Sequence, residues 1–306
     1  GTTVKIGIIS TIGKIIDKWE IKTRTEDNGM HILDDIAESI ENAIEKRGYK
    51  KEDVVGVGLG VPGPVKADGT VLMCVNLGWG VFNVETALSD MLGLPVKAGN
   101  DANVAALGEQ WLGGGRGHSN MVMVTLGTGV GGGIILDGKI VSGTCGAAGE
   151  IGHMNVVDEK DVIGVCGCGN RGCLEQVASA TGVVKLAKRM LEETDKETSL
   201  RSLPEVSAKS VFDAAKAGDA AAKEVVDIMS GYLGSALAAI GAVLNPEIFV
   251  IGGGVSKAGE YLIDVIREKY KAKSFHAVKD TEFALALLGN DAGMVGAARL
   301  VLSLGE

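Results

Sequence analysis

The sequence predicts an α/β fold, and three observations support this prediction. Stretches with the pattern of buried strands alternate with amphipathic helical stretches along the whole chain. Glycine accounts for 46 of the 306 residues and clusters between these stretches as loops. A faint internal repeat places a Gly-Thr turn beside a strand at residues 1–8 and again at 127–134. Two copies of one fold around a cleft, each with a phosphate-cradling turn, would produce this repeat.

The first part of the chain is predicted to alternate strands and helices and to end at Gly113-Gly114-Gly115. Apolar residues at helical spacing indicate a helix from Ile32 that Gly48 can end. Asn83 can cap a short helix that stops at Gly93. A third helix is expected to end near residue 112, and strands are expected at 4–9, 15–21, 54–61 and 95–98. The resulting small α/β domain spans 1–115 and is joined by the C-terminal helix at 290–306.

The second part of the chain, 116–289, is predicted to form a larger α/β domain. It opens with a strand, a glycine loop at 127–133 and a hairpin, in which Asp137-Gly138 suits a type I′ turn. The remaining elements predicted from periodicity are helices at 183–193, 210–216, 220–244 and 259–271, strands at 246–251 and 283–287, and a final helix at 292–302.

Charge and hydropathy limit the classes of partner. The net charge of −9 argues against nucleic acid or an anionic membrane as the main partner. The apolar run 228–244 is broken by glycines and is shorter than a membrane span usually requires, so we expect a helix buried in protein. The start does not show a basic segment followed by an apolar one, and clustered cysteines suit a reducing compartment. We therefore expect a cytoplasmic protein.

A cysteine cluster in the middle of the chain predicts a zinc site. Cys166, Cys168 and Cys173 lie within eight positions, and His153 precedes them. Three thiolates and one imidazole are a common ligand set for structural zinc, and the interleaved glycines allow the backbone to fold tightly. The alternative is a set of buried or disulfide-bonded cysteines. The acidic residues Glu150 and Glu175 flank the cluster, so the metal could also hold a polar site in place.

Two glycine segments, 58–63 and 127–132, match G-x-G-x-x-G. The dinucleotide-binding fingerprint requires a helix directly afterwards, and neither segment is followed by one, so the sequence disfavours a Rossmann dehydrogenase. No glycine loop ends in Gly-Lys-Ser/Thr, which disfavours a Walker P-loop. The segment 127–133 is therefore interpreted as a turn whose N–H groups bind an anion, and the alternative is a plain tight turn. The glycines at 252–254 would let a base or ribose lie flat against the backbone.

Asp101 is the candidate catalytic residue. It stands between Asn100 and Asn103, where a strand is predicted to end and a helix to begin. A carboxylate there can accept a proton from an alcohol. The alternative, which the tetrapeptide alone supports equally well, is that the aspartate caps the helix.

Taken together, these motifs resemble the ROK family of sugar kinases and repressors. The segments that carry the resemblance are Gly-Thr at the start, Pro62-Gly63, residues 100–103, 126–133, 150–153 and the cysteine segment 166–175, in family order over essentially the whole chain. Residues 76–79 and 105–109 look most like the bacterial glucokinase branch.

The resemblance implies an actin-like ATPase fold of two ribonuclease-H-like domains. It implies transfer of the γ-phosphoryl group of ATP to O6 of glucose, with Mg²⁺ and a structural Zn²⁺, and Asp101 as general base. The sugar would be held by Gly63, Asn76, Asn100, Asp101, Glu150, His153 and Glu175. ATP would be held by Gly1, Thr2, Thr3, Gly127, Thr128, Gly129, Gly131, Gly132, Gly253 and Gly254. Zinc would be bound by His153, Cys166, Cys168 and Cys173, the second nitrogen of His153 facing a sugar hydroxyl.

One part of the family pattern is incomplete in this sequence. The family's first phosphate loop reads Asp-x-Gly-Gly-Thr, and the sequence begins with only its final two residues, Gly1-Thr2. We therefore expect a further strand and the rest of this loop upstream. The residue that helps to position Mg²⁺ belongs to that segment.

Other functions within and outside the enzyme class stay open at this point. The substrate could be another hexose, such as N-acetylmannosamine or fructose, and the donor could be polyphosphate. The regulator branch carries an N-terminal winged helix-turn-helix, which the sequence does not show, so the kinase branch is favoured. A third hypothesis is a protein that is stabilised by zinc and binds sugar without catalysing a reaction. Relatives of this kind are often dimers or tetramers, so we expect a homo-oligomer.

Overall fold

The computed structural model describes residues 2–302, apart from the side chain of Lys160. The chain forms two compact units. Unit 1 comprises Gly1–Gly117, Gly133–Gly149 and Asn290–Glu306, and unit 2 comprises His118–Gly132 and Glu150–Gly289. Strands and helices alternate through both units, as predicted for an α/β fold.

The described residues contain strands and helices at the following positions. The strands are β1 (Thr3–Ile9), β2 (Ile15–Lys22), β3 (Val57–Val61), β4 (Thr70–Val71), β5 (Phe82–Asn83), β6 (Val96–Asn100), β7 (Met121–Leu126), β8 (Val130–Leu136), β9 (Lys139–Ile140), β10 (Ile248–Gly252) and β11 (Glu282–Leu285). The helices are α1 (Ile32–Lys46), α2 (Val84–Leu92), α3 (Asp101–Leu112), α4 (Glu175–Ala178), α5 (Ala180–Glu193), α6 (Ala208–Lys216), α7 (Ala220–Leu244), α8 (Glu260–Lys273) and α9 (Ala292–Leu302).

Unit 1 contains three two-stranded sheets among its described residues. β1 and β2 pair antiparallel, β3 and β6 pair parallel, and β4 and β5 pair antiparallel. The predicted caps of α2 are confirmed: the Asn83 side chain accepts a hydrogen bond from the Thr86 N–H, and Gly93 ends the helix with a φ of 64°. Strand β6, which pairs parallel with β3, is followed directly by α3, so residues 100 and 101 lie at the start of a helix.

Helices α3 and α9 cross in unit 1 at a point where both carry glycine. A Cβ added to Gly296 would lie 1.7 Å from the Val104 carbonyl oxygen, and one added to Gly108 would lie 2.3 Å from the Ala292 carbonyl oxygen. The two backbones therefore approach closely only because neither glycine has a side chain. This contact attaches the C-terminal helix to unit 1.

Substitution at this crossing is expected to be destabilising. Gly296→Ala should lower the free energy of unfolding by about 3 kcal/mol or more, because the helices must separate to admit a methyl group. Gly293→Ala on the same helix is the matched control, since a Cβ there meets nothing within 4 Å. That variant should be neutral or stabilised by up to about 1 kcal/mol through helix propensity. Denaturant unfolding of both variants measures the difference, and equal stabilities would contradict the packing described.

A cavity of about 790 Å³ lies in unit 1. Consecutive residues of β1 and β3 line it, together with α9 and apolar side chains of α1, and Asp101 lies at its wall. The aliphatic walls do not suit a polyhydroxylated sugar, which needs convergent hydrogen-bonding groups. The strand expected upstream of Gly1 is not tested by residues 2–302 and stays a prediction.

A five-stranded sheet in the order β11-β10-β7-β8-β9 organises the core of the second part of the chain. β10 pairs parallel with both β7 and β11, and every residue of β10 is buried. Such continuous burial is typical of a parallel sheet covered on both faces. The 25-residue helix α7 is long and apolar enough to cross a membrane, but 61% of its most apolar window is buried inside the protein. This agrees with the prediction of a buried core helix.

Several predicted boundaries differ from the structure. The strand expected at 54–61 begins only at Val57, and the glycine loop expected at 127–133 is shorter because β8 begins at Val130. The short elements α4, β4 and β5 were not predicted, since two to four residues carry too little periodicity to be detected.

The division into units also differs from the predicted domains 1–115 and 116–289. Residues 133–149 group with unit 1, and the first boundary lies at Gly117. Gly133 shows the physical reason: it packs against α3, where an added Cβ would lie 2.5 Å from the Ala106 Cβ. The predicted grouping of the C-terminal helix with the first domain matches the extent of unit 1, within the described residues.

Candidate active site

The start of α3 presents the candidate catalytic carboxylate. Asn100, not Asp101, caps this helix: its Oδ1 accepts hydrogen bonds from the N–H groups of Ala102 and Asn103 at 3.0 and 3.2 Å. Asp101 is the first residue of the helix, and its Oδ1 accepts from the Ala102 N–H at 2.9 Å. No residue among 2–302 donates a hydrogen bond to its Oδ2. One oxygen of Asp101 is thus left for another partner.

The surroundings of Asp101 change its acidity. Its side chain remains accessible to solvent, but the protein packed around the carboxylate partly desolvates it. Desolvation disfavours the charged form and raises the pKa of Asp101, while the backbone hydrogen bond from Ala102 acts in the opposite direction and is the weaker effect. The carboxylate is therefore more basic than an ordinary aspartate.

A turn at Pro62-Gly63 lies beside this helix start. The Asn100 Nδ2 donates to the Gly63 carbonyl oxygen at 3.2 Å, so one side chain holds both the turn and the helix. Cys74 supports the turn from the other side, because its buried Sγ donates to the Pro62 carbonyl oxygen at 3.0 Å. A Cβ on Gly63 would lie 2.9 Å from the Met73 carbonyl oxygen, which explains the glycine. Asn76 follows in an exposed 3-10 turn.

Cys74 is a supporting residue that sequence analysis missed. A lone cysteine, with no partner at a characteristic spacing, gives no signal that it will pack beneath a turn twelve residues away. Burial raises the pKa of its thiol, so Cys74 remains protonated and acts as a donor.

In unit 2, the turn between β7 and β8 gathers several of the predicted phosphate-binding glycines. It consists of Gly127, Thr128 and Gly129, closed by a hydrogen bond of 2.9 Å from the Gly127 N–H to the Gly129 carbonyl oxygen. Thr128 is exposed. Gly131 and Gly132 are not in the turn but in β8, and their contact with phosphate stays a prediction.

Gly253 lies directly against this turn. A Cβ added to it would lie 2.6 Å from the carbonyl carbon and oxygen of Leu126, and its φ is 84°. The close approach to Leu126 and the positive φ both require glycine at position 253. Gly254 is open, since an added Cβ would meet nothing within 4 Å. The structure therefore brings the predicted residues 127–129 and 253 together within unit 2.

The four predicted metal ligands converge in unit 2. The ligand atoms of His153, Cys166, Cys168 and Cys173 all lie within 4.8 Å of one another. The Cys168 and Cys173 sulfurs are 3.7 Å apart, and the Cys166 Sγ is 3.6 Å from the His153 Nδ1. Tetrahedral zinc with bonds of about 2.3 Å to sulfur places sulfur atoms about 3.8 Å apart. The arrangement fits a zinc ion.

Backbone turns explain why these ligands meet. Gly169 and Gly172 have φ values of 89° and 77°, which confirms the conformational role predicted for two of the three interleaved glycines. The Leu174 N–H donates to the Met154 carbonyl oxygen at 2.9 Å and so joins the histidine and cysteine segments. Burial and the neighbouring thiols raise the pKa of Cys173 to about 12. A cation is needed to hold this buried group as a thiolate.

Two carboxylates flank the cluster. The Nε2 of His153 lies 3.8 Å from a carboxylate oxygen of Glu150, so its two ring nitrogens face different partners. Glu175 lies on the opposite flank, with Oε1 3.7 Å from the Cys166 Sγ and Oε2 accepting a hydrogen bond of 3.0 Å from the Val130 N–H. Carboxylates beside a metal-binding histidine commonly orient its ring.

Comparison with known proteins identifies the family. The family model described as "ROK family" matches residues 1–303. The chain belongs to the ROK family. This confirms the resemblance drawn from the sequence motifs.

Individual ROK relatives match over nearly the whole chain. The chain is 46% identical to a glucokinase of Halalkalibacterium halodurans, covering 98% of this chain and 92% of the relative. It is 38% identical to a glucokinase of Thermotoga maritima, covering 98% and 94%. A crystal structure of a ROK family glucokinase from Streptomyces griseus in complex with glucose and AMPPNP superposes with a TM-score of 0.74 at 34% identity, covering 99% and 97%. The predicted actin-like ATPase fold is confirmed by these structural neighbours.

The predicted ROK site residues fall into two groups. Gly63, Asn76, Asn100 and Asp101 belong to unit 1, with Thr2 and Thr3 at the start of β1. Unit 2 contains the remaining sugar, nucleotide and metal positions, namely Gly127, Thr128, Gly129, Gly131, Gly132, Glu150, His153, Cys166, Cys168, Cys173, Glu175, Gly253 and Gly254. Gly1 lies outside the described residues.

Proposed function

We propose that this ROK protein transfers the γ-phosphoryl group of ATP to O6 of glucose, with Asp101 as the general base. One observation carries the proposal. Asn100 caps α3, which leaves the Oδ2 of Asp101 without a donor among residues 2–302 and open to a sugar hydroxyl. The glucokinase relatives and the glucose complex of the Streptomyces griseus enzyme support the choice of sugar.

In the reaction, the Asp101 carboxylate accepts the proton of the O6 hydroxyl as that oxygen attacks the γ-phosphorus. The new bond joins O6 to phosphorus, the bond from phosphorus to the β,γ-bridging oxygen breaks, and ADP leaves. Phosphoryl transfer depends mainly on positioning and charge stabilisation. A base that is more basic than an ordinary aspartate accepts the proton more readily.

The nucleotide is assigned to the turn Gly127–Gly129 and to Gly253 beside it. Glycine backbone at both places gives the phosphates and the ribose close access to N–H groups. Mg²⁺ would accompany the ATP phosphates and neutralise charge on the transferring group. The contact of Thr2 and Thr3 with phosphate, which the resemblance implies, stays a prediction.

Polar side chains in each unit, taken separately, are candidate sugar contacts. Asn100 keeps one N–H of its Nδ2 available after binding the Gly63 carbonyl oxygen, and Asn76 is exposed. In unit 2, Glu150 and His153 are exposed and adjacent. Polar groups of this kind discriminate against sugar analogues that leave one of them unpaired.

The four-ligand cluster is proposed to bind one zinc ion. His153, Cys166, Cys168 and Cys173 would hold it, and their spacing suits a tetrahedral site with no open position. When bound, zinc supplies structural stabilisation and fixes the histidine ring. The Nε2 of that ring is then free to contact Glu150 or a sugar hydroxyl.

A substrate panel tests the proposal. ADP release should be measured with Mg²⁺ and glucose, fructose or N-acetylmannosamine, each with ATP or polyphosphate as donor. The highest kcat/KM is expected for glucose with ATP. A higher value for another sugar or donor would reassign the substrate. Absence of turnover in every combination, with sugar binding intact, would favour the sugar-responsive regulator.

We also propose that the protein is a cytoplasmic homo-oligomer. Among the described residues, α7 is the one helix that is long and apolar enough to cross a membrane. Its burial supports a place in the protein core. Light scattering coupled to gel filtration would give the oligomeric state directly.

A further inference from the structure

Glu175 lies between the metal cluster and the Gly127–Gly129 turn. Its Oε2 accepts a hydrogen bond of 3.0 Å from the N–H of Val130, the residue that follows the turn. The same oxygen would lie 2.1 Å from a Cβ on Gly129. Its Oε1 is 3.7 Å from the Cys166 Sγ. The Oε2 thus has a hydrogen-bond donor inside unit 2, whereas Oε1 would lose the Cys166 donor once that thiol binds a metal as thiolate.

The turn is held by further contacts from the same segments. The Ala180 N–H, at the start of α5, donates to the Gly127 carbonyl oxygen at 2.8 Å. Gly152 lies against the other side of Val130, where an added Cβ would be 2.1 Å from the Val130 carbonyl oxygen. Residues near the metal cluster thus bind the Val130 N–H and pack closely against the Val130 carbonyl oxygen.

Gly152 and Glu175, the two residues that contact Val130, are close neighbours of metal ligands in the sequence. Gly152 directly precedes His153, and Glu175 follows Cys173 by two positions. An ion that joins His153 and Cys173 would therefore fix the distance between the two groups that hold Val130. Without an ion, the two segments are joined by hydrogen bonds, such as those from the Leu174 N–H to the Met154 carbonyl oxygen and from the Asn155 Nδ2 to the Arg171 carbonyl oxygen.

We propose that Glu175 is a positioning residue that couples the metal cluster to the phosphate-binding turn, so that a loaded cluster strengthens nucleotide binding. The proposal rests on the assignment of ATP to the Gly127–Gly129 turn. The carboxylate acts as a charge-assisted acceptor that orients the Val130 peptide, and with it the preceding turn. The metal is then a determinant of ATP affinity as well as of stability.

The first test compares Glu175→Ala with the conservative variant Glu175→Gln. Each is titrated calorimetrically with AMPPNP and Mg²⁺ in the absence of sugar, and separately with glucose. Glu175→Ala should bind AMPPNP about tenfold more weakly or worse, because the Val130 N–H loses its charged acceptor. Glu175→Gln should stay within about threefold of wild type, because the amide oxygen still accepts that hydrogen bond. The exposed Glu192→Ala on α5 is the matched control.

A second test uses the turn itself and a spectroscopic metal. Gly129→Ala places a methyl group on the Glu175 Oε2 and should weaken AMPPNP binding as Glu175→Ala does, and the double variant should be no weaker than the single ones. With Co²⁺ in the cluster, AMPPNP should change the cobalt absorption spectrum of wild type and Glu175→Gln but not of Glu175→Ala.

The outcomes separate this proposal from the proposed function. Metal-loaded Glu175→Ala and Gly129→Ala that bind AMPPNP like wild type would overturn the coupling. Loss of glucose binding alone, in both Glu175 variants, would also overturn it and would identify Glu175 as a sugar ligand. A wild-type protein that fails to bind AMPPNP would instead refute the assignment of ATP to this chain.

Discussion

Asp101→Asn is expected to lower kcat for glucose phosphorylation by a factor of about 10²–10⁴. The amide cannot accept the O6 proton, whereas the cap that positions residue 101 is supplied by Asn100 and is unaffected. Glucose affinity should therefore change little. Steady-state kinetics together with equilibrium binding of glucose measure the two effects separately.

The control for this variant is Asp90→Asn, an exposed aspartate on α2 in the same unit. It removes the same charge without touching the start of α3 and should keep wild-type kcat. A folded Asp101→Asn protein that turns over at the wild-type rate would remove Asp101 from the role of base.

The raised pKa of Asp101 also predicts the pH dependence. The base must be ionised, so kcat/KM should fall on the acid side at a higher pH than an ordinary aspartate would give. Because the folded pKa exceeds the unfolded one, the contribution of this group to stability is present at low pH and is lost as pH rises through the folded pKa. Activity and this stability term therefore change in opposite directions. An acid limb in the ordinary range for aspartate would contradict the desolvation described.

Cys173→Ser is expected to lose the metal and much of the stability of unit 2. The Cys173 side chain is fully buried, and a serine hydroxyl is a poor zinc ligand that cannot replace the thiolate. Binding of structural zinc in small domains is worth on the order of 10 kcal/mol, so losing one of four ligands should cost several kcal/mol of unfolding free energy and lower Tm markedly. Metal analysis and thermal unfolding measure both effects.

Chelation and a second cysteine variant complete that experiment. A strong chelator should lower the Tm of wild type toward that of Cys173→Ser and leave the variant unchanged. Cys145→Ser removes an exposed thiol outside the cluster and should retain full metal content and Tm. Wild-type metal content in Cys173→Ser would exclude the four-ligand site.

The sequence located Asp101 but did not decide between its two roles. Asn and Asp are both good helix caps, and the tetrapeptide 100–103 offers two asparagines and one aspartate. The decision depends on which of them has extended backbone: Asn100, with ψ at 141°, stands outside the helix and Asp101 is within it. A shift of one residue in the strand end would have exchanged the roles, and local propensity does not fix strand ends to that accuracy.

The metal ligands were predictable because thiol and imidazole ligands at short spacing have few other uses. The contact from Glu175 to Val130 was not. It joins residues 45 positions apart through a backbone N–H, which every non-proline residue possesses, so no side-chain pattern indicates it. The grouping of residues 133–149 with unit 1 likewise depends on the packing of Gly133 against α3, which composition does not reveal.

The most direct test of the central proposal is the position of phosphate on the product. The protein is incubated with ATP, Mg²⁺ and ¹³C-labelled glucose, and the product is examined by ¹³C and ³¹P NMR. We expect a phosphorus coupling at C6 and one ADP for each sugar phosphate formed. Phosphate on another carbon, or ADP and free phosphate without sugar phosphate, would contradict the proposal.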